Sequence, residues 1–257
     1  MAQKNPIFLV LTGDGINCER ETAEAFIAAG GAAHILHIND LAKTPQCLME
    51  YDGLAIPGGF SFGDELGSGQ IMALKMRHLL GVALTDFVKA QRPIIGICNG
   101  FQILVKLGLL PYPDTPRRVA LAANAHGSFT DQWVDMVVQK TTSPWLKDLA
   151  GQTISMPMRH GEGRLVLQDP QDLEKLLESG QAPLIYTRDV NGSAGCIAAL
   201  TDPSGMILGM MPHPEAFISQ HTYRQPGKSG RGDGLALFEN IIEHLKQQES
   251  DHARRRA

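Results

Sequence analysis

The first half of the chain alternates short apolar runs with segments whose apolar residues recur at helical spacing, and that alternation admits few architectures. A run of four to six apolar residues with no polar position inside it reads as a strand buried on both faces. Strands of a parallel sheet wrapped by helices are in that state. Ile7 to Leu11 is the first such run. Asn17 is then placed to cap a helix whose inner face is Ala23, Phe26 and Ile27, with Gly30 and Gly31 closing it. His34 to Ile38 reads as the second strand, Tyr51 to Pro57 as the third and Pro93 to Ile97 as the fourth. Between the last two, Gln70 to Ala90 carries Leu80, Leu84, Phe87 and Val88 at helical spacing. Gly100 to Gly108 follows the fourth strand as a helix apolar on nearly every side, which must therefore be buried.

From Pro111 the rhythm becomes β-rich and irregular, with one short helix at Leu173 to Leu177. Cys196 to Thr201 and Met206 to Met211 read as two strands of a hairpin, because Asp202-Pro203-Ser204-Gly205 has the residues of a type I turn. A final helix turns Phe238, Ile241, Ile242 and Leu245 inward, and the polar tail from about residue 247 is expected to fray. The expected fold class is α/β: a flavodoxin-like open, mostly parallel sheet with helices on both faces and a β-rich C-terminal elaboration. Residues 1–257 are read as a single domain.

Composition removes several functions. A net charge of -4 gives no electrostatic footprint for nucleic acid or an anionic membrane surface. The four cysteines, Cys18, Cys47, Cys98 and Cys196, lie far apart with no C-x-x-C pair, so neither a metal site nor a disulfide framework is expected. The N-terminal apolar run lacks a basic lead-in and is too short for a signal or a membrane span, so a cytoplasmic location is expected.

The strongest local signal is Gly96-Ile97-Cys98-Asn99-Gly100, the cysteine form of the G-x-S-x-G nucleophile elbow, set where an apolar strand turns into a helix. Such a turn holds the nucleophile in strained backbone and needs small flanking residues. It also places the sulfur at a helix N-terminus, where unsatisfied amides favour the thiolate. A thiolate attacking an amide carbonyl creates an oxyanion that needs two aimed N–H donors. The backbone of Asn99 is one candidate. The loop Pro57-Gly58-Gly59-Phe60, bare enough to approach and leaving the third strand at the same carboxyl edge, is the candidate for the other.

A base is also required, and nine histidines are available. His34 and His37 face opposite sides of a strand, and His78, His244 and His252 fall on helices or the tail. His126, His160 and His221 sit in irregular segments. His213 is followed by Pro214 and Glu215, and the proline is expected to hold an extended path that lets the carboxylate reach one imidazole nitrogen while the other faces the thiol. His160-Gly161-Glu162-Gly163-Arg164 offers a rival His–Glu pair, but its glycines suit a flexible binding loop better.

Taken together, Pro57-Gly58-Gly59, Gly96 to Gln102 and His213-Pro214-Glu215 resemble the class I, or triad, glutamine amidotransferases in order and spacing. The longer strings Gly58 to Asp64, Cys98 to Leu104, His160 to Arg164 and Met211 to Glu215 are most similar to the glutaminase subunits of phosphoribosylformylglycinamidine synthases. That resemblance implies glutamine hydrolysis through Cys98, His213 and Glu215, with Gly59 and Asn99 at the oxyanion hole and Gly58 and Gln102 at the substrate. It implies ammonia transfer to a synthetase subunit through a complex that a small bridging subunit completes. No cofactor is expected in this chain, which lacks a G-x-x-x-x-G-K-[ST] loop; ATP and magnesium belong to the synthetase. The chain departs from the family pattern at Ala216, where arginine is usual, at Phe62, and at Asp189-Val190. A free-standing cysteine hydrolase on a similar sheet and a non-catalytic regulatory subunit remain as alternatives.

Overall fold

The computed structural model of the chain describes residues 5–113, 116–219, 221 and 230–256. Four apolar runs form parallel strands: β1 (Ile7–Thr12), β2 (Ala32–His37), β3 (Gly53–Ile56) and β4 (Ile94–Ile97). The helices between them are α1 (Glu19–Ala28), the single turn α2 (Ile38–Leu41) and the long α3 (Gln70–Lys89). β4 runs through Cys98 into α4 (Asn99–Leu107), which ends at Gly108 in the left-handed conformation. Every residue of β3 and β4 is buried, as strands covered on both faces must be.

The second half supplies β5 (Val119–Ala123), β6 (Thr130–Val138), β7 (Thr153–His160), β8 (Glu162–Leu167), α5 (Asp172–Glu178), β9 (Leu184–Tyr186), β10 (Ile197–Thr201), β11 (Ile207–Met210) and α6 (Leu235–Arg256). β5 and β8 pair with each other in a small antiparallel sheet. The other nine strands form one sheet in the order β2-β1-β3-β4-β11-β10-β9-β6-β7. Its first five strands are parallel and the remainder antiparallel. The 2-1-3-4 order with a fifth parallel strand is the flavodoxin-like arrangement. The β-rich half therefore extends the same sheet. The hairpin turn at Asp202 to Gly205 places β11, late in sequence, directly beside β4, with Met210 opposite Ile97.

One face of the sheet is closed by an aromatic stack. Phe8 on β1 lies 4.0 Å from Phe26 on α1, and Phe238 on α6 meets Phe26 edge-on at 4.9 Å. Three sequence expectations change here. Ile27, expected on the inner face of α1, is 58% exposed, because α1 turns Thr22, Ala23, Ala25 and Phe26 to the sheet instead. Asn17 is not the cap: the helix begins one residue later, with Cys18 at that position and no side-chain cap bond. The polar tail does not fray at 247, since α6 continues to Arg256.

Phe26 fills the junction of three elements, so Phe26→Ala should cost about 3–5 kcal/mol in urea unfolding. Ile27→Ala on the adjacent exposed position should stay within about 0.5 kcal/mol. Equal losses at the two positions would show that the helix presents a different face.

Candidate active site

Cys98 sits between β4 and α4 with φ 51° and ψ -104°, a left-handed backbone that a non-glycine residue adopts only under constraint. Its amide is held by the Met210 carbonyl of β11 at 2.8 Å. The glycines on either side have a steric reason. A Cβ on Gly100 would lie 1.8 Å from the Ile56 carbonyl of β3, and one on Gly96 would lie 2.6 Å from the Gly100 carbonyl. The elbow thus packs backbone to backbone, which leaves Cys98 only 6% exposed.

His213 leaves the end of β11. Its amide is bonded to the Pro157 carbonyl of β7 at 2.8 Å, and Pro212 pairs with Met158. Pro214 to Phe217 form a single 3-10 turn, so the expected extended path from His213 to Glu215 is replaced by a helical one. Pro214, with its φ preset, starts that turn, and the turn carries the carboxylate back to the ring. Glu215 Oε1 lies 2.6 Å from His213 Nδ1, and both side chains are almost wholly buried. Nε2 of His213 has no hydrogen-bond partner among the described residues, and neither has Glu215 Oε2.

Burial alone would push the imidazolium down. The buried Glu215 carboxylate, with the thiols of Cys18 and Cys98 and the bond to Glu215 adding to it, outweighs burial and holds the His213 pKa well above its ordinary value. In this conformation the Cys98 thiol donates to the Arg159 carbonyl at 3.4 Å.

A pocket of about 110 Å³ opens over these groups, lined by Asn17, Cys18, Gly59, Phe60, Cys98, Phe129, Arg159 and His213. Phe60 and Phe129, both about half exposed and 6.3 Å apart, stand at its mouth. A larger hollow of about 440 Å³ lies at the opposite, amino edge of the strands, around Pro6, Asp52 and Pro93. It contains neither a cysteine nor a histidine, and ligands of open α/β sheets collect at the carboxyl edge, so the smaller pocket is the candidate site.

The structure brings Cys98, His213, Glu215 and Gly59 together and sets Asn99 at the start of α4, where first-turn amides have no partner within the helix. Gly58 lies behind the imidazole, where a Cβ would come 2.7 Å from His213 Cε1, so its contribution is clearance for the ring. Gln102 is buried behind the elbow. Its Oε1 accepts from Asn99 Nδ2 at 2.9 Å, and its Nε2 donates to the Glu162 carbonyl. Asn99 in turn bonds Asp64 Oδ1 and the Ser61 amide, which fastens the 61–69 loop, bent at Phe62, Asp64 and Leu66 through positive φ, onto the elbow.

His160-Gly161-Glu162 is a tight corner between β7 and β8, not a flexible loop. The His160 ring is buried against Gly163, whose Cβ would lie 2.3 Å from it, and neither ring nitrogen has a partner among the described residues. Burial, then the charges of His213 and His126, hold its pKa down to about 4. Three pocket residues, Cys18, Phe129 and Arg159, were given no role from sequence. Cys18 follows β1, whose position in a parallel sheet already assigns it to the carboxyl edge; Arg159 carried no signal beyond its neighbour His160.

Residues 5–245 match the CobB/CobQ-like glutamine amidotransferase domain family, and the chain belongs to that family. Within it, the chain is 37% identical over 253 residues to phosphoribosylformylglycinamidine synthase subunit PurQ of Dehalococcoides mccartyi, covering 93% of this chain and 97% of the relative. The subunit of the same name from Pyrococcus furiosus is 35% identical over 242 residues, with 93% and 98% covered. A chain in the structure of PurLQS from Thermotoga maritima superposes with a TM-score of 0.77 at 32% identity, covering 94% of this chain and 99% of that one.

Because His160 is neutral in the fold and protonates more readily once unfolded, the unfolded chain binds the extra proton between about pH 6.5 and 4. The stability it contributes is present above 6.5 and is lost as pH falls toward 4, amounting to about 2 kcal/mol between pH 7 and 5. His160→Gln should remove that part of the slope in urea unfolding; an unchanged slope would mean the ring already carries its proton in the fold.

Proposed function

We propose that Cys98, His213 and Glu215 act as nucleophile, base and orienting acid in a glutaminase subunit of phosphoribosylformylglycinamidine synthase. The carrying observation is the 2.6 Å contact between His213 Nδ1 and Glu215 Oε1, which leaves Nε2 without a partner beside the pocket that Cys98 lines. This is the constellation that thiol-based acyl transfer needs.

Glutamine enters with its side-chain amide at Cys98 and its α-carboxylate toward Arg159, a guanidinium with one buried nitrogen that lacks a partner among the described residues. The Cys98 proton, released from the Arg159 carbonyl, passes to Nε2, which the raised basicity of the ring favours, and the thiolate attacks the amide carbon. The backbone amides of Asn99 and Gly59 receive the oxyanion. His213 then gives its proton to the departing nitrogen, the C–N bond breaks, and ammonia leaves a thioester on Cys98. Water attacks that thioester as His213 takes its proton, releasing glutamate and restoring the thiol. Glu215 accepts from Nδ1–H throughout and stabilises the imidazolium without taking the proton.

The ammonia passes to a synthetase subunit that makes phosphoribosylformylglycinamidine with ATP and magnesium, in a complex completed by a small bridging subunit. In support, the relatives are themselves named as subunits, and the structural match is to a chain of PurLQS. The exposed Phe60 and Phe129 rings at the pocket mouth suit a covering partner. No helix of the described residues is long and apolar enough to cross a membrane. The described cysteines are all free, which agrees with a reducing cytoplasm.

In a reconstituted complex, Cys98→Ala should lower glutamine-dependent synthesis by roughly 10⁴-fold or more, while added ammonia still supports it. Loss of both activities would make the residue structural, and turnover of peptides without glutamine would point to a hydrolase. Arg159→Ala should raise KM for glutamine about tenfold with little change in kcat, since an ion pair to a non-reacting carboxylate acts equally in ground and transition states. A fall confined to kcat would remove Arg159 from substrate binding.

A further inference from the structure

Cys18 has no part in that mechanism, yet it faces the same imidazole. Its sulfur, one ring nitrogen of His213 and a carboxylate oxygen of Glu215 all lie within 4.8 Å of one another. All three residues are buried: Cys18 is 6% exposed, His213 2% and Glu215 3%. Glu215 Oε2 has no hydrogen-bond partner among the described residues, and its other oxygen, Oε1, faces His213 Nδ1 at 2.6 Å. A buried acceptor without a partner carries a desolvation cost that a bound cation would relieve.

We infer that Cys18, His213 and Glu215 form a binding site for a thiophilic divalent cation of the zinc type, whose occupation shuts down glutamine hydrolysis. Three features select the cation. A thiolate and an imidazole prefer zinc over magnesium, which takes oxygen ligands. Tetrahedral zinc holds its ligand atoms roughly 3.3–3.8 Å apart, so His213 Nδ1 and Glu215 Oε1 open from 2.6 Å while the Cys18 sulfur draws in by at most about 1.5 Å. The charges close, because one thiolate and one carboxylate neutralise Zn²⁺ while the imidazole binds neutral. Cys18 and His213 both line the pocket, from which water would complete the shell.

On binding, the Cys18 thiol proton and the imidazolium proton on Nδ1 leave to solvent, and the imidazole keeps a single proton on Nε2. No electrons are transferred. With the metal on Nδ1 the ring's one remaining proton is fixed on Nε2, which then cannot take the Cys98 proton, so binding and turnover exclude each other. Magnesium, expected with ATP on the proposed synthetase partner, does not substitute. The inhibition rests on the catalytic reading above, but the binding does not.

The test uses the purified full chain with Co²⁺ as spectroscopic probe and Zn²⁺ as competitor. One equivalent of Co²⁺ should give a thiolate-to-cobalt charge-transfer absorption that zinc abolishes and magnesium leaves unchanged. The absorption should persist in Cys98→Ala and vanish in both Cys18→Ala and Cys18→Ser, the serine variant guarding against a packing defect. Glu215→Gln should weaken cobalt binding at least about tenfold. Absence of the absorption in the wild-type chain, or its survival in either Cys18 variant, would overturn the site whatever the enzyme activity. In glutamine hydrolysis, zinc should inhibit the wild-type chain reversibly to a chelator, and the ratio of rates with and without zinc should approach one in Cys18→Ser. A ratio unchanged by that substitution would assign the inhibition to Cys98 and overturn the proposal.

Discussion

The bond between His213 and Glu215 depends on where β11 lies. β11 pairs in parallel with β4 and ends level with it, Met210 opposite Ile97, so the residues that follow each strand emerge side by side. The Met210 carbonyl holds the Cys98 amide, and the Pro157 carbonyl of β7 holds the His213 amide. A buried carboxylate without a partner would be costly, and the imidazole at 2.6 Å supplies that partner. The sheet therefore provides both the meeting place and the low-dielectric surroundings that make the pair strong.

Close backbone approach is the second constraint. α4 starts so near β3 that the Ile56 carbonyl occupies the space of any Cβ at Gly100, and the ring of His213 occupies that of one at Gly58. Asn99 and Gln102 then join the elbow to the 61–69 loop and to the β7–β8 corner. Elements separated by up to 60 positions are locked to one helix turn. Rigid support of this kind sustains the positive φ at Cys98, which a free chain would relax.

Much of this was legible in the order of residues. The apolar runs gave β1, β3 and β4 to within a few positions, the glycine frame located the elbow, and the Asp202–Gly205 turn forecast the β10–β11 hairpin. Failures came where local pattern meets tertiary contact. Ile27 fits a helical apolar stripe as well as Ala25 does, yet only docking on the sheet decides which of them is covered. Pro214 was read as stiffening an extended path, whereas proline equally opens a helical turn, and the choice belongs to β7, which anchors His213. The two glycines around Glu162 looked like freedom; one of them is the space into which the His160 ring is packed.

The sequence by itself determined the alternation that demands a covered parallel sheet, the elbow at Cys98 and the chemistry its residue types permit. These are properties of neighbours along the chain, and periodicity and backbone sterics express them locally. Only the tertiary structure decided that Cys18 shares an imidazole with Cys98, that Arg159 borders the pocket and that His160 is a neutral packing residue. Those facts arise from strands and loops far apart in sequence arriving at one sheet edge, and burial there sets charge and partners that no local spacing encodes.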